Sequence, residues 1–205
     1  MNKFVTILLL LVPLVMSQQE VGSIIGDLLN PDCVQYVNPV GAISTTGTWS
    51  ISSRVLRTDC VPLNIAGMRG ITPNNNTQVS LTQPNGLYLR VKQAFLNMIY
   101  NAEQLGARAK DCSRVVVFVR DMVSIRPVVN RVQTEIWGAA TSSNPIYPPR
   151  TILQIDAFNG LTCEYGPQNW RQGTAGANGQ VVCENGGTPI GDILEVEGTF
   201  YVRRR

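Results

Sequence analysis

The sequence predicts an α+β domain in which a mixed β-sheet carries two helices on one face. Three observations lead there. Apolar positions recur at helical spacing over residues 87–105. The apolar run Val115-Val116-Val117-Phe118-Val119 reads as a buried strand and is followed by a second helical stretch. Two further stretches, 150–158 and 193–203, alternate as strands do.

Taken in order, residues 1–17 read as a secretory signal peptide. Lys3 is the basic start, residues 4–15 are almost unbroken apolar, and Val15-Met16-Ser17 suits cleavage. The apolar run is short for a membrane span, and no later segment is apolar enough for one. The chain is therefore expected outside the cytosol. Residues 18–44 read as an N-terminal extension in which Val21, Ile24, Ile25, Leu28 and Leu29 fall at helical spacing until Asn30-Pro31. The domain itself is expected over 45–205. Residues 45–59 alternate as a Ser/Thr-rich strand, and 60–67 form a second. Asn75-Asn76-Thr77 is an N-glycosylation sequon with Asn75 as acceptor, set in a Pro-Asn-rich turn. Gly106 stops the helix at 87–105. The second helix is expected over 128–140, started after Pro127. Tyr147-Pro148-Pro149 then delivers Arg150 to the strand 150–158. Residues 159–192 hold eight of the 18 glycines and show little periodicity, so they read as an insertion. The last strand spans 193–203.

Composition narrows the chemistry. The 205 residues are 44% hydrophobic and 15% charged, as in a globular protein. There are 17 basic and 14 acidic residues, 16 and 14 once Lys3 is removed, and three of the basic ones are the terminal Arg203-Arg204-Arg205. No clustered basic face for nucleic acid is indicated. Histidine is absent, which excludes Ser-His-Asp and Cys-His nucleophiles, His-ligated zinc and a His general base. The five cysteines, Cys33, Cys60, Cys112, Cys163 and Cys183, include no C-x-x-C pair. Outside the cytosol they are expected to oxidise and leave one over. Connectivity is not readable from the sequence, but Cys163 with Cys183 is the most local pairing and would clip the insertion. The odd thiol is free, buried or intermolecular.

Several blocks, in order, carry a resemblance. They are Ile65-Ala66-Gly67-Met68 with Thr72-Pro73, Lys92-Gln93-Ala94-Phe95-Leu96-Asn97 before Gly106, and Val115 to Met122. They continue with Asn130 in a Val-Asn pair, Pro149-Arg150-Thr151, and Leu194-Glu195-Val196-Glu197-Gly198. The chain resembles the Rid family (reactive intermediate deaminases, YjgF-like) over residues 60–203, outside the insertion. The resemblance implies a chorismate-mutase-like subunit and a homotrimer with pockets between subunits. It also implies hydrolysis of enamines and imines, such as 2-aminoacrylate, to 2-keto acids and ammonia. Arg150 matches the arginine that holds the substrate carboxylate. Glu195 matches the glutamate that positions the attacking water, and Gly67 matches a glycine whose backbone faces the pocket. Such chemistry needs no metal or organic cofactor. This chain departs from the pattern at Ile152, where the family often has cysteine. It departs again near Trp49 to Arg54, which lacks the family's tyrosine, and in the insertion.

The bland alternatives stand beside these assignments. Arg150 can pair with Glu195 or Glu197 as a structural salt bridge between strands. Asn130 can cap or touch the sheet, Tyr147 and Trp170 can pack, and Cys112 can be buried. The insertion is a lid, a plug or a partner-binding loop. Two functions remain: an extracellular imine/enamine deaminase acting on a small carboxylate-bearing substrate, and a non-catalytic module that binds a small ligand or a protein.

Overall fold

The computed structural model describes residues 32–39, 50–74, 76–138, 146–155, 161–166, 169–176 and 181–204. The expected signal peptide, the helical spacing at 21–29 and the sequon asparagine Asn75 lie outside the described residues. Every element below belongs to the unit Cys33–Arg205.

The central sheet has four strands in the order β3 (Cys60–Met68), β13 (Leu194–Arg203), β6 (Cys112–Val119) and β7 (Arg150–Gln154). β13 runs antiparallel to both its neighbours, and β6 and β7 are parallel. The mixed sheet of the sequence reading is therefore present. Alternation decides the faces. Val115, Val117 and Val119 on β6, with Leu194, Val196 and Phe200 on β13, are buried toward the helices. Arg114, Val116 and Phe118, with Glu195, Glu197 and Thr199, point the other way.

Helix α1 (Gly86–Gln104) buries Val91, Ala94, Phe95, Met98, Ile99 and Ala102. It ends before Gly106, whose φ of 89° suits only a residue without a side chain. The helix lies close to β13: a Cβ on Gly198 would come within 2.6 Å of Met98 Sδ. Helix α2 (Met122–Trp137) connects the parallel strands and starts six residues earlier than the proline suggested. Asp121 accepts hydrogen bonds from the backbone N–H groups of Val123, at 2.9 Å, and Ser124, at 3.4 Å. This cap sets the start, and Pro127 is carried inside the helix. The proline removes a bond to the carbonyl of Val123, which is 80% exposed and can use water instead. Gly138, at φ 88°, ends the helix before the expected 140. Trp137 meets Phe95 edge to face at 6.3 Å, which joins the helices.

Strand β1 (Val34–Val37) pairs with β2 (Ser52–Val55), and β4 (Ile71–Thr72) pairs with β5 (Thr77–Gln78). Within the expected strand 45–59 only β2 is strand among the described residues, and β7 stops at Gln154 rather than 158. Cys33 is disulfide-bonded to Cys60, which ties β1 to β3. Cys112 is the free, buried thiol; burial pushes its pKa up, so it stays neutral and is not a nucleophile.

The insertion has more order than its composition indicates. β8 (Thr162–Glu164), β9 (Trp170–Gln172) and β12 (Thr188–Gly191) form a sheet in the order β12-β8-β9, and β10 (Thr174–Ala175) pairs with β11 (Val181–Val182). These strands are too short to display a period, which is why the sequence reads as irregular. Trp170 and Ile190 belong to the main core, so Trp170 anchors the segment. Cys163 and Cys183 form the clip, with a separation of 20 residues. Replacing both by serine is expected to lower unfolding free energy by ~3 kcal/mol on the loop-entropy model. Denaturant titration of the oxidised parent and the double variant checks this.

Candidate functional site

The residues singled out by the sequence fall into two groups on opposite faces of the sheet. Arg150 opens β7 opposite Val115, and Ile152 lies opposite Val117. Directly paired residues share a face, so both side chains point to the helical side. There the Arg150 guanidinium donates from Nη2 to Asn130 Oδ1 at 2.8 Å and from Nη1 to Gln133 Oε1. Asn130 and Gln133 are three residues apart on α2 and share a face. Burial, and then the charge of Arg126, lowers the Arg150 pKa to about 10, so the group remains a cation at neutral pH. Ile152 is half-buried and packs on the core. Tyr147 is buried, and its hydroxyl donates to Thr134 Oγ1 at 3.3 Å. It therefore packs against α2 behind Arg150.

Glu195 lies on the other face, opposite Phe118. Its carboxylate rests against Gly67, where any Cβ would collide with Oε1. A bulge makes this contact. The β3–β13 register shifts between Val196 and Gly198, so β3 spends an extra residue opposite Glu197. Simple alternation would have put Gly67 on the core side with Ile65. The bulge turns it to the open face beneath Glu195. Arg150 and Glu195 are thus not brought together within one chain. The alternative reading, an inter-strand salt bridge of Arg150 to Glu195 or Glu197, is likewise not formed.

Gln133 was not singled out by the sequence reading. It is fully buried, and its Nε2 lacks a hydrogen-bond partner in the structure. Its spacing of three from Asn130 was the available signal.

The described part of the insertion is fixed at the far end of β7 from Arg150. Arg120, just past β6, faces Glu164 of β8 at 3.7 Å. These two, with Gln154, Tyr165, Asn185 and Thr188, line a polar cleft of about 670 Å³. Four residues of strand separate Gln154 from Arg150, about 13 Å. Among the described residues no cluster of His, Cys, Asp or Glu could hold a metal, and no helix is long and apolar enough to cross a membrane.

No family model and no curated protein matches the sequence. Solved structures do match. A probable translation initiation inhibitor from Rhodopseudomonas palustris is 31% identical, with 83% of this chain and 99% of that one covered at a TM-score of 0.47. A protein of unknown function of the conserved Rid family from Yersinia pestis, YyfB, is 15% identical over 83% and 99%, at a TM-score of 0.53. RidA from an Antarctic Psychrobacter is 20% identical over 82% and 99%, at a TM-score of 0.43. With its four-stranded mixed sheet, its two helices on one face and its likeness to the Yersinia protein, the chain has the fold of the Rid family.

Proposed function

We propose that the protein hydrolyses 2-imino and 2-enamino acids to 2-keto acids and ammonia outside the cytosol. The observation that carries this reading is Glu195, whose carboxylate lies over a glycine on the open sheet face. A residue without a side chain at that point leaves room for the acid to lie against the strand, where it is held in one place. Arg150 supplies the complementary group, a cation that can hold a carboxylate through paired charge-assisted hydrogen bonds. Since the two face opposite sides of one sheet, a pocket with both takes them from two copies of the chain. The open face, with Asn64, Ala66, Val116, Phe118 and Thr199 around a depression of about 440 Å³, is the surface such an assembly would cover. A homotrimer meets this requirement.

In the proposed reaction Arg150 fixes the substrate carboxylate. Glu195 holds a water and takes its proton as the oxygen attacks the imine carbon. The resulting carbinolamine collapses as the nitrogen is protonated and leaves as ammonia, so one water is consumed and one keto acid formed. An enamine first takes a proton on carbon to become the imine. Two disulfide bonds support an oxidising compartment, as does the leader-like start.

One observation favours a second reading. The Arg150 guanidinium is engaged by Asn130 and Gln133, as it would be in a binding module where it only braces α2. The deciding experiment adds purified protein to an amino-acid oxidase reaction that generates imines and follows keto-acid release. Faster release that is lost in Glu195→Gln supports the deaminase; no acceleration rejects it. Gly67→Ala gives a finer expectation. The new methyl displaces Glu195, and a shift of this size is expected to lower kcat/KM about 100-fold. The melting temperature should change little, because Gly67 lies on the open face.

A further inference from the structure

We infer that the polar cleft between the insertion and the C-terminal ends of the parallel strands is a second binding site, and that its ligand is an uncharged saccharide. The site is separate from Arg150, at the other end of β7, and independent of the reaction proposed above. At about 670 Å³ the cleft has the size of a small-molecule site. One wall comes from the end of the main sheet and the start of α2, with Arg120, Asp121 and Gln154. The other comes from the insertion, with Glu164 and Tyr165 at the end of β8, Asn185 just before β12 and Thr188 at its start. Gln154 pairs directly with Val119, which is buried toward the helices. An assembly that covers the open sheet face therefore does not use this wall.

Both walls are held in place by the chain itself. Gln154 Oε1 accepts from Met122 N at 2.9 Å, which leaves its Nε2 as the donor. The ring of Tyr165 is held by the Arg171 guanidinium, 4.8 Å from its centroid, and by the close approach of Gly187, where a Cβ would collide with the ring. Thr188 pairs directly with Glu164, and the Cys163–Cys183 disulfide joins the residue before Glu164 to the segment that carries Asn185. Such preorganisation lowers the ordering cost of binding.

The chemistry of the lining selects the ligand. Arg120 Nη2 and Glu164 Oε2 stand 3.7 Å apart, too far for a hydrogen bond, with side chains 25% and 29% exposed. A hydroxyl set between them accepts from the guanidinium and donates to the carboxylate; a group that only donates or only accepts serves one of the two. The charges of this pair cancel. Asp121 is committed to the α2 cap, accepting from Val123 N, Ser124 N and the Ser124 hydroxyl. An ionic ligand therefore gains little net attraction from these three residues. Among the described lining residues only Tyr165 offers an apolar surface, so a greasy ligand has little to cover. Gln154, Asn185, Thr188 and the Tyr165 hydroxyl add donors and acceptors of both kinds. Closely spaced hydroxyls on an uncharged ring match that mixture.

The test is saturation-transfer NMR and calorimetry on the full oxidised protein. Maltotriose, cellotriose, chitotriose, mannotriose and xylotriose serve as neutral probes, a hyaluronan tetrasaccharide as the anionic probe and spermidine as the cationic one. At least one neutral trisaccharide is expected to bind with a Kd of about 1 mM or below. Glu164→Ala and Asn185→Gly should each weaken it about tenfold through lost hydrogen bonds. Glycine suits the left-handed backbone at Asn185, where φ is 50°, so this variant removes the amide and keeps the loop. An unchanged melting temperature in Asn185→Gly ties its loss of affinity to the cleft. No binding of any neutral probe, tighter binding of either charged probe, or full affinity in both variants would overturn the assignment.

Discussion

Replacing Arg150 by alanine is expected to lower kcat/KM for imine hydrolysis by about 100-fold or more. Two charge-assisted hydrogen bonds to a carboxylate are together worth ~3 kcal/mol of binding to the reacting molecule. The same change also affects the fold. The guanidinium donates to Gln133, which is fully buried, so its removal leaves the amide oxygen without a donor. That omission costs ~1–3 kcal/mol. The two effects separate the two readings of Arg150. If the arginine only braces α2, alanine lowers the melting temperature and leaves whatever turnover exists unchanged. If it anchors substrate, Arg150→Lys retains the charge and most of the stability but still loses activity, because an ammonium cannot reproduce the paired geometry. Keto-acid release and thermal unfolding, measured on the same preparations, decide between them.

The largest expected loss of stability comes from a site that the proposed reaction does not use. Arg90 on α1 and Asp192, where the insertion rejoins the core, face each other at 3.3 Å with side chains 1% and 0% exposed. Arg90 also donates from Nε to the Val79 carbonyl at 2.7 Å and from Nη1 to Thr162 Oγ1 at 3.2 Å. Asp192 accepts from its neighbour Ile193 N at 2.7 Å and from Gln78 Nε2. Burial dominates both groups. It lowers the arginine and raises the aspartate from their ordinary pKa values, against their mutual attraction. Such a pair is costly to break because the survivor is a buried, uncompensated charge. Asp192→Ala is expected to destabilise by ~3–5 kcal/mol. Replacing both members by Met and Leu should recover much of that loss, since two hydrophobic side chains carry no desolvation cost. Denaturant titration of the single and double variants measures the difference. A single variant as stable as the parent would show that the network adds little to the fold. Because Thr162 starts the first strand of the insertion and Asp192 closes it, Asp192→Ala should also make the insertion more open to proteolysis than the sheet.

These sites differ in how far the sequence reveals them. Helix α1 and strand β6 were legible because their periods are long and clean: Val91, Phe95, Met98 and Ile99 on one, and Val115, Val117 and Val119 on the other. The start of α2 was misplaced because Pro127 is the strongest local punctuation, whereas Asp121 outranks it by capping the free N–H groups. The strands of the insertion were not visible, since segments of two to four residues have no measurable alternation. They persist because Cys163–Cys183, Trp170 and the Arg90–Asp192 pair fix their ends.

The candidate site divides in the same way. The sequence by itself determined which residue types are present: an arginine at a strand start, an acid near the start of the last strand, a glycine in β3 and no histidine at all. From these follow the charges and hydrogen bonds available to a site, because side-chain charge and hydrogen-bonding capacity are local properties. Only the tertiary structure decided where each side chain points. The parallel register of Val115 with Arg150 turned the arginine toward Asn130 and Gln133, and the antiparallel register of Phe118 with Glu195 turned the acid to the opposite face. The bulge in β3 placed Gly67 beneath that acid. Facing depends on the register between strands distant in sequence, and no pattern within a single strand records it.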